Sequence, residues 1–575
     1  MTTYSPPLEG RREHTRLDFN ENTIGFPELF PGVKSTFLTT YPEYREALEE
    51  LAASLSLEPG QILLTNGSDE GLFVGCFTFI EPNEDRALVG SPTFALIPHY
   101  LRLCQADIVE IEVKEDLKPD LDRMQQVLDE GAKMAVLATP ENPTGQTVPL
   151  ARLTEWLRSY PDTVFLIDEA YQAYHTETAL PLVSEYPNLI VSRTFSKAWG
   201  LAGLRLGFLA AHPTVVEWMA RVRSPYSVNS YAVEGLRKLL PNRDKVRAQA
   251  EKLVARKSCV VEDVRRRGYR VTAGQANFFL IWMGPTAPLF VQFCRDRGLL
   301  IRDRSKLFGM GGSVRVSTGS DEEMARFLEI LDEFQNKVGL LFDLDDTLVD
   351  TSESFDQVVC TLVEELSGKP LQREDLQSLR AEGGFNDDWD ATKELLARRG
   401  VEKEVEEIAA QALPLYLKLA PETEELMVSL RLLETMKKRH RLFIVTGRVR
   451  AEFEPVWKDR LAPYFTEIVC KDDRPLPPKP APDQLRDVMQ RHQIETAFYL
   501  GNSVDDMRAA RAAGMTAIGV CTNQSAEVLT GAGAEQTVTA PEAGGPAAFP
   551  DACGVCGACQ RIARGVHADV IIIEP

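Results

Sequence analysis

The sequence predicts an α/β chain with more than one folded unit. At 575 residues the chain is too long for a single hydrophobic core. Apolar runs at 135–145 and 164–174 end in polar residues, which is typical of parallel strands that are buried on both faces. A helical stretch from about 352 to 438 lies between two further strand-like runs and predicts a helical insertion in a second sheet.

The composition and net charge of the chain limit the classes of ligand that it is expected to bind. Apolar residues make up 44% of the chain and charged residues 26%, as in ordinary globular proteins. The net charge of −21 argues against broad binding to nucleic acid or anionic membranes. A phosphate ligand would then be captured by local arginines and helix N-termini. The first residues, MTTYSPPLEGRREH, contain no apolar core like that of a signal peptide, and no apolar run approaches a membrane span, so we expect a cytoplasmic chain.

A turn from strand to helix predicts a phosphate site in the first half. Residues 62–65 read as a strand, Asn66 to Asp69 as a tight turn, and the following apolar run as a helix. The free backbone N–H groups at the start of such a helix can hold a phosphate. Many α/β proteins have this turn without a ligand, so the turn alone leaves both interpretations open.

One lysine follows a run of hydroxyl groups. In SRTFSKAWGLAGLRLG, Lys197 comes directly after Ser196, and Arg205 follows eight residues later. A lysine among anion-binding groups can form an imine with an aldehyde cofactor that carries a phosphate. The alternative is a solvated lysine in a polar loop. Asp168, at the end of a buried strand, needs a cationic partner.

The order NGSDE, PTF, NPTG, DEAY, SxxK and R resembles fold-type I, pyridoxal-phosphate-dependent aminotransferases, most closely histidinol-phosphate aminotransferases, from about Leu17 to Phe334. The resemblance implies a domain over 1–336 with a large α/β part and a small α+β part. It implies that Lys197 carries the imine, that Asp168 pairs with the cofactor ring nitrogen, and that Tyr41 is supplied by the neighbouring subunit of a homodimer. The remaining implied cofactor contacts are Asn142 and Tyr171 at the ring hydroxyl, Phe94 stacked on the ring, and Ser68, Asp69, Thr194, Ser196 and Arg205 at the phosphate.

Two arginines are candidates for substrate choice. By the same resemblance, Arg302 and Arg315 bind the acidic end of the substrate, and Asn22 contacts it. Each guanidinium offers a planar fork of donors that suits a phosphate or a carboxylate. Arg302 is alternatively a surface residue of the charged run RDR. The set of motifs also fits threonine-phosphate decarboxylases and aromatic aminotransferases, so the substrate stays open at this point.

A second set of motifs begins after residue 337. An apolar strand ends in Asp343-x-Asp345-x-Thr, a second strand ends at Thr446, Lys479 lies in PPKPAPDQL, and a third strand ends in an acidic loop. Two carboxylates at one strand end can hold a divalent cation. The set resembles the haloacid dehalogenase (HAD) superfamily of phosphohydrolases, which implies a Rossmann-like domain over 338–543 with a helical cap at about 352–438.

The resemblance assigns roles in phosphoryl transfer. Asp343 is the implied nucleophile, Asp345 the general acid and base, and Thr446 and Lys479 hold the phosphoryl oxygens. Magnesium is expected on Asp343, on the Asp345 carbonyl and on an acidic residue of the last loop. That loop has Asn502 where the superfamily usually has Asp, so Asp505 or Asp506 would have to serve as the ligand. A HAD domain without activity is the alternative.

The last segment, 544–575, reads as a linker followed by a cysteine-rich tail. Cys553, Cys556 and Cys559 resemble a small piece of the zinc module of bacterial clamp-loader subunits. Three thiolates can hold zinc with an outside ligand such as His567, and a vestigial extension is the alternative.

The two halves together predict a bifunctional enzyme of histidine biosynthesis. The expected partners are a small phosphorylated amine or phosphorylated ketone and glutamate or 2-oxoglutarate, without nucleic acid or membrane. Rival interpretations are another aromatic or phospho-amino-acid transaminase with an unrelated phosphatase, and a pyridoxal-phosphate protein whose HAD half binds a phosphorylated ligand without hydrolysing it.

Overall fold

The computed structural model describes residues 15–17, 20, 41–351, 353–382 and 388–539. The chain divides into two compact units, and the division falls between Ile330 and Leu331. Both residues belong to one helix, Asp321–Lys337, which ends directly before the first strand of the second set of motifs. The expectation of an α/β fold is confirmed in both units.

The first unit contains the following elements. The strands are β1 (Thr15–Arg16), β2 (Ile62–Thr65), β3 (Arg86–Ser91), β4 (Asp107–Glu112), β5 (Met134–Ala138), β6 (Val164–Asp168), β7 (Leu189–Thr194), β8 (Gly207–Ala211), β9 (Arg270–Ala273), β10 (Phe278–Trp282), β11 (Leu299–Leu300), β12 (Arg302–Asp303) and β13 (Ser313–Ser317). The helices are α1 (Arg45–Leu55), α2 (Gly67–Phe79), α3 (Leu96–Leu103), α4 (Leu121–Asp129), α5 (Leu150–Ser159), α6 (Pro213–Val222), α7 (Ser230–Leu239), α8 (Arg243–Arg266), α9 (Ala287–Asp296) and the first part of α10 (Asp321–Lys337).

The large sheet has seven strands in the order β2-β8-β7-β6-β5-β3-β4. Strands β7, β6, β5, β3 and β4 are parallel, whereas β8 pairs antiparallel with both β7 and β2. The two runs that the sequence predicts as long strands are shorter than expected. Strand β5 ends at Ala138, before two prolines that have no N–H to donate to a ladder, and β6 ends at Asp168.

Alternating residues of the parallel strands pack on opposite faces of this sheet. In β6, Phe165 and Ile167 join one apolar cluster and Leu166 joins the other, and all three are at most 1% exposed. Burial on both faces explains why these strands read as continuous apolar runs. It also places the polar residues that follow each strand at the carboxyl edge of the sheet.

A smaller antiparallel sheet, in the order β12-β13-β10-β9, completes the first unit, and β1 pairs in parallel with β11. Arg302 of β12 lies directly opposite Arg315 of β13 in the ladder. Residues that are opposite each other in an antiparallel pair project to the same face, so both guanidiniums lie on one side of the small sheet.

The second unit contains the following elements. The strands are β14 (Val338–Phe342), β15 (Val349–Asp350), β16 (Glu425–Leu426), β17 (Arg441–Val445), β18 (Glu467–Val469), β19 (Thr496–Gly501), β20 (Thr516–Cys521) and β21 (Gln536–Thr539). The helices are α11 (Ser354–Ser367), α12 (Arg373–Glu382), α13 (Asp388–Ala397), α14 (Val405–Thr423), α15 (Leu430–Arg439), α16 (Arg450–Leu461), α17 (Asp483–His492), α18 (Val504–Ala513) and α19 (Ala526–Ala532).

These strands form a six-stranded parallel sheet in the order β18-β17-β14-β19-β20-β21. Strand β15 precedes helices α11–α14 in the chain, β16 follows them, and the two strands pair antiparallel. The four helices pack around their own apolar cluster and form the helical cap. Helix α15 lies inside the range that the sequence predicts for the cap, yet its Leu433 and Met436 pack into the cluster of the sheet. Within the described part of the chain, no helix combines the length and apolar character needed to cross a bilayer.

Candidate functional sites

A backbone cradle formed by Gly67, Ser68 and Gly207 lies at the N-terminus of α2. Gly207, at the start of β8, approaches this turn so closely that a Cβ atom there would lie 2.6 Å from the Ser68 backbone N and from the Gly67 carbonyl carbon. Gly67 has φ of 78°, a conformation that glycine adopts without strain. The backbone N–H groups of the first helical turn, which have no acceptor within their own helix, are therefore not covered by a Cβ atom at either glycine.

Arg205 lies beside this cradle. Its Nη2 donates to Asp69 Oδ2 at 2.8 Å, and its Nη1 donates to Ser196 Oγ at 3.3 Å. The Ser196 backbone N–H in turn donates to Thr194 Oγ1 at 3.1 Å. The structure thus brings the predicted phosphate contacts of two distant motifs together at one helix N-terminus.

Asp168 lies at the carboxyl end of β6 and is only 4% exposed. Burial raises the pKa of its carboxyl group to about 7, with a further contribution from the charge of Asp69, while the charge of Lys197 acts in the opposite direction. Among the described residues, none donates a hydrogen bond to its Oδ1. A buried carboxylate oxygen without a donor is costly, so the site fits a ligand that presents an N–H to this atom. A protonated pyridine nitrogen is such a group.

Lys197 and Tyr171 lie near each other, with Lys197 Nζ 5.6 Å from the centre of the Tyr171 ring. Tyr171 is buried, and its hydroxyl accepts a 2.7 Å hydrogen bond from Asn20 Nδ2. Because Asn20 supplies the proton of that bond, the Tyr171 hydroxyl keeps its own proton to donate elsewhere. Sequence reasoning selected Asn22 and missed Asn20. Asn22 lies outside the described residues.

Asn142 is the meeting point of the large and the small sheet. Its side-chain oxygen accepts a hydrogen bond from Nη1 of Arg315, which is 2% exposed. Its backbone N–H donates to Oε1 of Glu141 at 2.8 Å, and Thr93 Oγ1 donates to the same atom at 2.8 Å. Burial raises the pKa of Glu141 to about 8. Glu141, which the sequence analysis did not select, thus ties the Asn142 loop to the loop that carries Phe94.

The other predicted residues of the first unit occupy different surroundings. Phe94 is partly buried and packs against one apolar cluster of the large sheet. Arg302 is partly exposed beside Arg315 in the small sheet. Tyr41 is 76% exposed and stacks on Tyr226 with ring centres 4.5 Å apart.

The second site lies at the carboxyl end of β14. Lys479 Nζ donates to Asp343 Oδ1 at 2.8 Å, to Asp506 Oδ1 at 2.6 Å and to the Tyr499 hydroxyl at 2.8 Å. Asp343 is 6% exposed, and burial raises its pKa to about 7, with Lys479 acting against the rise and Asp506 and Asp345 adding to it. One lysine thus balances two buried carboxylates, and the lysine itself has a raised pKa.

Asp345 is held from the opposite side. Arg448 Nε donates to Asp345 Oδ1 at 2.6 Å, and Thr446 Oγ1 lies 3.5 Å from Asp345 Oδ2. Thr446 is fully buried directly after β17, as the motif predicts, and also accepts a hydrogen bond from the Arg448 backbone at 3.1 Å. Arg448 is not among the residues predicted from the sequence.

The last acidic loop offers fewer free carboxylates than its sequence suggests. Asp506 Oδ2 accepts hydrogen bonds from Ser503 N and Oγ, which cap α18, while its Oδ1 accepts from Lys479. Asn502 is buried, and its Oδ1 accepts from Thr347 Oγ1 at 3.4 Å. Asp505 is partly buried. No three acidic, histidine or cysteine side chains form a metal cluster anywhere in the described ranges. The donors that remain are oxygen atoms, which magnesium prefers, and negative charge is in excess around Asp343.

Comparisons with known proteins assign both units. Residues 29–331 match the family described as aminotransferase class I and II. The chain belongs to this family. Residues 340–520 match haloacid dehalogenase-like hydrolases, so the aminotransferase carries a HAD-like hydrolase domain. The resemblance to both families that the sequence motifs predict is confirmed. The comparisons do not support a resemblance of the tail to a clamp-loader module. Cys553, Cys556, Cys559 and His567 lie outside the described residues.

Curated relatives resemble the first half of this aminotransferase over nearly their whole length. A histidinol-phosphate aminotransferase of Geobacillus sp. (strain WCH70) is 32% identical over 335 residues, which are 56% of this chain and 90% of that protein. One of Symbiobacterium thermophilum is 33% identical over 332 residues, which cover 56% of this chain and 91% of that protein. A solved structure of a histidinol-phosphate aminotransferase from Sinorhizobium meliloti, in complex with pyridoxal-5'-phosphate, has a TM-score of 0.50 at 22% identity and covers 58% of this chain and 96% of that one. This likeness confirms the expected fold-type I architecture.

Proposed function

We propose that the first unit transfers an amino group with pyridoxal 5'-phosphate, converting imidazole-acetol phosphate and glutamate into histidinol phosphate and 2-oxoglutarate. The names of the curated relatives support this substrate. The observation that carries the proposal is the buried Oδ1 of Asp168, which has no hydrogen-bond donor among the residues that the structure describes and lies at the same sheet edge as Lys197.

The residues of the chain have separate tasks in this reaction. When bound, the cofactor ring withdraws electrons from the substrate Cα and so makes its proton acidic. Asp168 accepts a hydrogen bond from the ring N–H and stabilises the positive charge of the protonated ring. Tyr171 and Asn142 orient the ring hydroxyl, and Lys197 Nζ, which anchors the cofactor aldehyde, moves the proton of the substrate Cα.

Arg315 is the main candidate for the anionic end of the substrate. Its guanidinium is buried and already positioned against Asn142, so a bound anion would lie beside the cofactor ring. Arg302 projects from the same face of the small sheet, so the two residues together can bind a doubly charged phosphate.

The second unit is proposed as a magnesium-dependent phosphatase that acts on a phosphate ester, with histidinol phosphate as its substrate. Asp343 attacks phosphorus, Asp345 protonates the leaving oxygen, and Lys479 and Thr446 stabilise the charge on the phosphoryl oxygens. Asp343 and the backbone carbonyl of Asp345 would hold magnesium, with Asn502 or Asp505 as the ligand from the last loop.

A second candidate function for this unit is binding of a phosphorylated ligand without hydrolysis. The engagement of Asp506 by Lys479 and Ser503 favours it, because a full-strength magnesium site needs an acidic residue from this loop. Phosphate release from histidinol phosphate by the full chain, with and without magnesium, distinguishes the two. Asp343→Asn serves as the control for contaminating phosphatase.

The transaminase is tested by half-reactions of the purified chain with a panel of amino donors, followed by the change in cofactor absorbance. Histidinol phosphate and glutamate should both convert the cofactor, and the chain should complement a strain that lacks histidinol-phosphate transaminase. Conversion by aromatic amino acids alone, without complementation, would favour the rival aromatic transaminase.

A homodimer is also part of the proposal. Exposed aromatic rings lie on neighbouring helices of the first unit, with Phe77 of α2 55% exposed and Trp218 of α6 48% exposed. Phe79 of α2 contacts one of these rings, with its ring centre 6.0 Å from that of Trp218. Exposed apolar patches of this kind typically mark association surfaces. Light scattering on the purified chain measures the oligomeric state directly.

A further inference from the structure

A buried arginine connects the cap of the second unit to the carboxylate of Asp345. Arg448, in the loop between β17 and α16, has a side chain that is 1% exposed. Its Nη2 and Nη1 donate to the two carboxylate oxygens of Glu424 at 3.0 and 3.1 Å, while its Nε donates to Asp345 Oδ1 at 2.6 Å. Glu424 follows the last cap helix, α14, and its side chain is fully buried.

Residues of the cap and of α16 surround Glu424 and the Arg448 guanidinium. Ser354 Oγ donates to Glu424 Oε1 at 2.8 Å, and Trp457 Nε1 donates to Glu424 Oε2 at 2.6 Å. The rings of Phe355 and Tyr416 stack on each other and lie 5.1 and 5.4 Å from the Arg448 guanidinium carbon. Since Glu424 already neutralises Arg448, a structural ion pair is complete without Asp345. The additional bond from Nε to Asp345 therefore calls for another explanation.

Asp345 is the most exposed member of the group, with 28% of its side chain accessible. Its Oδ1 is fixed by the short bond from Arg448, whereas for its Oδ2 the hydrogen-bond partner among the described residues is Thr446, at 3.5 Å. We propose that Arg448, fixed by Glu424 of the cap, is a positioning residue that orients Asp345 so that Oδ2 carries the proton given to the leaving group. This inference rests on the proposed phosphatase function.

The proposed role of Arg448 predicts different effects on the hydrolysis of alkyl and aryl phosphate esters. Asp343 forms a bond to phosphorus while the bond to the ester oxygen breaks, and the proton of Asp345 moves to that oxygen. Water then attacks phosphorus, returns a proton to Asp345 and releases phosphate from Asp343. An alkyl ester needs the first proton because an alkoxide is a poor leaving group, whereas p-nitrophenolate leaves readily without it. Misplacing Asp345 should therefore slow hydrolysis of the alkyl ester much more than that of the aryl ester.

The experiment compares β-glycerol phosphate with p-nitrophenyl phosphate, using the full chain and magnesium. Arg448→Lys keeps the charge but loses the planar fork that spans Glu424 and Asp345. We expect kcat for the alkyl ester to fall at least about tenfold more than kcat for the aryl ester, with little change in KM. Glu424→Gln, which loosens Arg448 from the cap side, should show the same discrimination and replaces Arg448→Lys if that variant does not fold.

Trp457→Phe is the matched control, because it removes a bond to Glu424 but leaves the bonds of Arg448 to Glu424 and to Asp345 in place. It should lower both rates by the same factor. Equal losses for the two esters in Arg448→Lys and Glu424→Gln, or equal discrimination in Trp457→Phe, would overturn the positioning role while the phosphatase assignment stands. If the unaltered chain hydrolyses neither these esters nor histidinol phosphate, the phosphatase assignment fails and the inference fails with it.

Discussion

Replacement of Asp168 by alanine should weaken cofactor binding by a predictable amount. The carboxylate is 4% exposed, and its Oδ1 has no donor among the described residues, so the variant removes one charge-assisted hydrogen bond to the cofactor ring. Such a bond contributes about 1.5–3 kcal/mol. The dissociation constant of pyridoxal 5'-phosphate should therefore rise roughly 10- to 150-fold. Absorbance titration of the cofactor-free chain measures it.

Asp168→Asn separates binding from chemistry. The amide keeps the shape of the side chain and can donate to an unprotonated ring nitrogen, so cofactor affinity should fall less than in Asp168→Ala. An amide does not stabilise the positive charge of a protonated ring, so the half-reaction with histidinol phosphate should slow on the order of 100-fold. Stopped-flow absorbance at saturating cofactor measures this rate.

Glu169 provides a matched control one residue further along the chain. It is also buried, but its Oε2 accepts from Arg193 Nη2 at 2.8 Å and its Oε1 accepts from the Ala179 backbone. Glu169→Gln should lower the free energy of unfolding and leave cofactor affinity unchanged. The reasoning is refuted if Asp168→Ala binds the cofactor as tightly as the unaltered chain, or if Glu169→Gln weakens binding equally.

Three further predictions concern other charged groups. Arg315→Lys loses the bidentate fork, so kcat/KM for the phosphorylated substrate, measured by steady-state kinetics, should fall roughly 10- to 100-fold. The same loss in the exposed control Arg295→Lys would contradict this prediction. Lys479→Met leaves Asp343 and Asp506 without their cation, so urea unfolding of the second unit should show a loss of about 3–5 kcal/mol that magnesium partly restores; an unchanged transition would be incompatible with this. Burial and the charge of Arg439 lower the pKa of His440 to about 3, so its neutral form stabilises the fold above pH 6.5 and that contribution is lost as the pH falls towards 3. His440→Asn should flatten the dependence of unfolding free energy on pH between 6 and 4 by up to about 1.4 kcal/mol per pH unit, and an unaltered slope would count against it.

Most of the architecture was accessible from local patterns. Runs such as Val164 to Asp168 are apolar at every position because both faces of the sheet are covered, and this pattern predicts parallel strands. The pattern does not show which strand of the sheet runs opposite to its neighbours. The antiparallel pairing of β8 with two neighbours, and the packing of α15 on the sheet, depend on contacts distant in sequence.

Some of the site residues could be predicted from the sequence, and others could not. Residues that end a strand, such as Asp168, Asp343 and Thr446, follow from the rule that polar groups collect at the carboxyl edge of a parallel sheet. Asn20 could not be predicted in this way, because the run Asn20-Glu21-Asn22 contains two similar amides. Asn20 is recognised as a site residue by its hydrogen bond to Tyr171, which is distant in sequence.

Arg448 shows a different limit of sequence reasoning. In sequence it is one charged residue in a loop that already contains Thr446, and such residues are usually solvated. Its partner Glu424 is 24 residues away at the end of the cap, and only packing brings the two together in the interior. Buried ion pairs between an insertion and its parent fold leave no local periodicity to detect.

The attachment of the cofactor to Lys197 is the claim on which the aminotransferase assignment depends. Borohydride reduction of the chain with pyridoxal 5'-phosphate, followed by peptide mapping, should place the reduced adduct on Lys197, and Lys197→Ala should abolish both the adduct and amino-group transfer. An adduct on another lysine, or full transfer activity in Lys197→Ala, would contradict the account.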